Sequence, residues 1–66
     1  MKFALILFLC SYTADACLEP HYFPKEFKDE YSCLMEGYNQ SKSKLREVGR
    51  EEVNKHSIYI KFVCAG

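Results

Sequence analysis

The chain has no Trp, only three Gly, two Pro and four Cys in 66 residues, and no excess of either charge, nine Lys and Arg standing against nine Asp and Glu. Neutrality excludes nucleic-acid binding and polycationic membrane lysis, because both need a surplus of Lys and Arg to gather phosphate charge. Four cysteines are too few for the six- and eight-cysteine frameworks of many small secreted proteins. No Ser-centred elbow, Gly-rich phosphate loop or His-Glu-x-x-His pair occurs, and so small a domain seldom holds both a pocket and a preorganised reacting group. The expectation is a protein without catalytic residues and without a cofactor. His21 and His56 stand from the cysteines at spacings that match no paired zinc ligands, so no metal is expected either. The longest apolar run, residues 3–10, is less than half of the roughly twenty residues that a bilayer core requires, so no membrane span is expected.

The N-terminal stretch is the most informative part of what is present. Lys2 precedes the apolar block FALILFLC, and a short polar stretch then closes in Thr13-Ala14-Asp15-Ala16. A positive residue, an apolar block and Ala-x-Ala in that order make a secretory signal peptide over residues 1–16, with cleavage after Ala16. Residues 17–66 are then a mature secreted mini-domain, and the expected location is extracellular. Cys10 leaves with the leader, which leaves Cys17, Cys33 and Cys64. An odd number in an oxidising compartment means one internal bridge and one thiol that is free, capped or joined to another chain, so a covalent homodimer through one Cys is a candidate assembly. Ordering a residue costs about 1.5 kcal/mol, and a core this small barely offsets that cost without a covalent staple.

Along residues 17–66, the opening segment CLEPHYFP contains both prolines and reads as extended, since a residue before Pro is biased away from helix. Pro24 at a first helical position, Glu26 in the first turn and Gly37 as a stop predict a first helix between them. Phe27, Tyr31, Leu34, Met35 and Tyr38 recur at helical spacing and form one apolar stripe, the candidate core face. Cys33 projects away from that stripe, among Glu26, Asp29 and Glu30. Residues 37–43 read as a polar connector carrying Asn39-Gln40-Ser41, an N-glycosylation acceptor. Residues 43–55 read as a second helix with a thin strip of Leu45, Val48 and Val53, weakened by Gly49. Residues 57–64 (SIYIKFVC) alternate as a strand, with Ile58, Ile60, Phe62 and Cys64 on one face and Tyr59, Lys61 and Val63 on the other. The expected fold is a small disulfide-stapled α+β unit of two short helices and one C-terminal strand, the alternative being mostly helical with irregular ends. Cys64 lies on the apolar side of its strand and pairs with Cys17 or leaves Cys17 to Cys33. With the first pairing Cys33 is the odd thiol.

Function is read at the level of class. Size, export and stapling suit a small binding effector of venom, salivary or reproductive fluid that acts on an extracellular receptor, ion channel or protease. The alternative is a structural, disulfide-linked dimer or a fragment of a longer cysteine-rich protein. Two binding candidates stand out. Lys42, Lys44, Arg46 and Arg50 stand against the single Glu47 and make a basic face for an acidic receptor or a sulfated glycan. Tyr59 and Lys61 share one side of the strand, and this resembles the aromatic and lysine pairing of small secreted toxins that plug potassium channels. The leader predicts a secreted form that begins at Cys17, which N-terminal sequencing of exported protein checks; a form retaining Met1 would refute it.

Overall fold

A computed structural model describes residues 2–66. In chain order the elements are β1 (Phe3–Ser11), β2 (Ala16–Cys17), β3 (His21–Phe27), α1 (Glu30–Val48), α2 (Arg50–His56) and β4 (Ile58–Ala65). β1 is the central strand of an antiparallel sheet, with β4 along one edge and β3 and the short β2 along the other. The expected single C-terminal strand is therefore wrong, and so is the mostly helical alternative: the segment read as a strand forms β4, one of four. Its partner is β1, in an unbroken register from Ala4 opposite Ala65 to Ser11 opposite Ile58. A short continuous apolar run fits the middle of a sheet as well as it fits a leader, and periodicity does not tell the two apart.

The first helix begins later than its sequence signals suggest. Pro24 lies inside β3, opposite the point between Ala4 and Ile6 where the pairing register shifts, at a sheet edge where a missing N–H is tolerated. Asp29 is the N-cap of this helix: its carboxylate accepts from the Ser32 N–H at 3.3 Å and from the Ser32 hydroxyl at 2.7 Å. The helix then runs through Gly37 and the whole predicted connector, in which the Ser41 hydroxyl donates to the Gly37 carbonyl at 2.7 Å. It stops at Gly49, and α2 follows directly.

All four cysteines are joined within the chain, Cys10 to Cys17 and Cys33 to Cys64. Neither expected pairing forms, no thiol is left over, and the covalent homodimer loses its basis. Cys33 is fully buried, not solvated on a polar face, and it forms the core with Leu5 and Phe27, against which Phe3, Phe23, Phe62 and Cys64 pack. The bridge to Cys64 draws the Cys33 and Gly37 side of α1 onto the sheet, close enough that a Cβ on Gly37 would overlap the Phe62 ring.

The bond that a cut after Ala16 would break lies within β2, in the exposed stretch bracketed by Cys10 and Cys17. A chain beginning at Cys17 would lack β1, the strand to which each of the other three is paired. Removal of residues 1–16 and this sheet therefore exclude each other, unless the cut follows folding and the Cys10–Cys17 bridge retains the strand.

Gly37→Ala should lower stability by about 1–3 kcal/mol, the usual cost of overpacking a filled core. The urea midpoint of the oxidised protein reads this, and an unchanged midpoint would mean that Phe62 moves aside freely.

Candidate binding surface: an outward ridge and a basic elbow

The turn imposed on α1 has a direct consequence for its apolar stripe. Tyr31, Leu34, Met35 and Tyr38 lie on the side away from the sheet and are 70%, 36%, 49% and 66% exposed. The stripe expected to be core, apart from the buried Phe27 of β3, is a ridge on the surface. Only the Tyr38 ring leans back, meeting the Phe62 ring edge-on with centroids 5.0 Å apart. Leu45 continues the ridge one and a half to two turns further along α1.

The ridge runs into the elbow between α1 and α2. Gly49 makes this elbow with φ +94° and ψ 152°, a backbone conformation open essentially to glycine alone. Its N–H donates to the Leu45 carbonyl and its own carbonyl accepts from Val53, each at 3.0 Å, so one residue closes one helix and opens the next. A shallow groove of about 400 Å³ lies in the bend, with Leu45, Gly49 and Val53 in its floor and Lys42, Arg46 and Arg50 around it. The ion pairs among the described residues are Lys2 with Glu26 and Lys44 with Glu47, and His56 lies 3.2 Å from Glu52, so none of Lys42, Arg46 and Arg50 has a carboxylate in ion-pair contact. Three of the four basic candidates thus come together. Lys44 does not join them; its ammonium is 3.4 Å from Glu47, at a separate cleft beside the sheet.

Tyr59 and Lys61 do share one side of β4, on the opposite face of the sheet from α1, but each is engaged there. The Tyr59 ring stacks on Tyr12 with centroids 4.2 Å apart, and the Lys61 ammonium sits 5.2 Å from the centre of the Phe8 ring. Asn39 is exposed on α1, within regular helix and not in the expected connector. Among the described residues no three His, Cys, Asp or Glu side chains gather into a metal-binding group, and no helix is long and apolar enough to cross a membrane.

Sequence periodicity found the members of the ridge and gave them the wrong side. The one sequence signal for the true buried side was a glycine four residues after a cysteine, two small residues on one helical line where a close approach is sterically allowed.

The architecture defines a disulfide-bonded mini-protein with an antiparallel sheet and a two-helix layer. Comparison with protein-family models, curated proteins and solved structures finds no match.

The elbow depends on Gly49, so Gly49→Ala should cost about 1–3 kcal/mol through backbone strain alone, since open space surrounds the position. Chemical denaturation measures the loss, and wild-type stability in this variant would show that the φ of +94° is not required.

Proposed function

We propose that the chain is a small secreted effector that binds an extracellular protein and has no catalytic role. The observation that carries this reading is the outward ridge of Tyr31, Leu34, Met35 and Tyr38. Their spacing, i, i+3, i+4 and i+7, is that of helices that lay an apolar face into a groove on a partner. A short soluble chain gains nothing in folding from four large side chains held in water, and exposed apolar patches of this kind mark interaction surfaces. The adjoining Lys42, Arg46 and Arg50 define the partner further: an apolar groove with carboxylates at the end that receives the elbow. The apolar floor between the three cations favours an acidic protein over a sulfated glycan, which offers no hydrocarbon to cover Leu45 and Val53.

Export is supported by the leader-like N-terminus and by two disulfides, which persist in oxidising compartments. The ridge, the elbow and the Cys33–Cys64 bridge all lie within residues 17–66, but α1 is oriented by a sheet centred on β1, so this surface requires that β1 stay with the exported protein, through the Cys10–Cys17 bridge where the chain is cut after Ala16. Receptor, channel and protease partners remain the classes to which such an effector is directed. A role for Lys61 in plugging a channel is weakened by its position over Phe8.

Screening the immobilised, oxidised protein against receptor ectodomains, channels and proteases tests the proposal. Binding should fall by at least about tenfold, or roughly 1.4 kcal/mol, with Tyr31→Ala or Met35→Ala. Charge reversal at Arg46 should slow association, and Lys61→Ala should leave affinity unchanged. A partner whose binding follows Lys61 and ignores the ridge would overturn the assignment.

A further inference from the structure

The cleft that holds Lys44 is a second site, independent of the ridge. Near its N-terminus α1 meets the sheet through Cys33 and Gly37, which permit close approach, whereas further along the residues turned toward the sheet are long and polar. Gln40, Lys44 and Glu47 hold the helix away from the strands, and a cleft of about 270 Å³ opens beneath them. Its floor is hydrocarbon, with Leu7, Leu9 and Phe23 side by side, and the segment between β2 and β3 supplies Leu18 and Glu19 at the mouth.

The charges around this floor are not balanced internally. Lys44 is 3.4 Å from Glu47, and these two offset each other. Glu19 has no cationic partner among the described residues, although it lines the same cleft. The only other titratable group in the lining is His21, whose ring meets the Phe23 ring edge-on with centroids 4.6 Å apart. An apolar floor with a few convergent polar groups is a common form of small-molecule site. The sign of the uncompensated charge selects the ligand: a carboxylate or phosphate amphiphile would meet Glu19 and Glu47 with only an already engaged lysine to receive it, whereas an ammonium would meet an unpaired carboxylate and an aromatic face.

We propose that this cleft binds a small organic cation with an apolar body, of the arylalkylamine type, its ring over Leu7, Leu9 and Phe23 and its ammonium at Glu19. Because Leu7 and Leu9 belong to β1 the site exists only while that strand is retained, and the residues that form the cleft play no part in the ridge or the elbow. Ligand binding and protein binding can therefore fail or succeed separately.

Titration calorimetry of the full, oxidised chain with phenethylamine, at moderate ionic strength, is the test. Saturable binding to one site is expected, roughly tenfold or more tighter than for the neutral phenylethanol, with no binding of phenylacetate. Glu19→Gln, an exposed substitution that leaves the core untouched, should bring the amine down to the affinity of the alcohol. Ser43→Trp, on the exposed wall of α1, should block both ligands, and charge reversal at Arg46 should affect neither. Absence of amine binding, equal affinity for amine and alcohol, or indifference to Glu19→Gln would each overturn the proposal, with native circular dichroism of every variant confirming that the fold is intact.

Discussion

The covalent link between Cys33 and Cys64 governs how the two layers of this protein face each other. It joins the first turn of the long helix to the last strand in the most buried part of the molecule, beside Leu5 and Phe27. An amphipathic helix left to itself would turn its large apolar residues inward. Here the bond and the close approach at Gly37 hold the opposite side against the sheet, and Tyr31, Leu34, Met35 and Tyr38 are carried to the exterior. The cost in exposed hydrocarbon is offset by constraining the unfolded chain, a contribution of about 2–4 kcal/mol for a typical disulfide.

The sheet supplies the other half of the construction. β1 pairs with every other strand, and its alternating side chains feed the core through Leu5 and Leu7. The turn that follows it is tied to the far end of the chain: the Thr13 hydroxyl donates to the His56 carbonyl at 2.8 Å and the Tyr12 N–H to the Ser57 carbonyl at 3.1 Å. The same residues have the composition of an export signal. Such a run reads as a leader in sequence and forms the centre of a sheet in the fold, because both use short runs of Leu, Ile and Phe.

Interaction surfaces follow from these constraints without added elements. One side of α1 carries the ridge, its end carries the three cations of the elbow, and the side facing the sheet opens into an amphipathic cleft where long polar residues replace small ones. Around its circumference α1 carries the covalent anchor at Cys33, the exposed apolar ridge and the polar wall of the cleft. In so short a chain one element serves several roles.

Several local features were legible in the residues alone: the alternation that becomes β4, the helix-forming character of much of 30–56, the weakness at Gly49, the need for a staple and the local clustering of basic charge. These depend on neighbours in sequence, through periodicity, backbone freedom and charge spacing. The number of strands, the cysteine pairing and the inward side of α1 were decided only in three dimensions. Apolar periodicity marks a face without saying what covers it, and a run of eight apolar residues suits a leader, a buried helix segment or a central strand equally well. Only when Cys33 met Cys64, and β1 lay between β3 and β4, was it settled that the most hydrophobic stripe of the helix would face water.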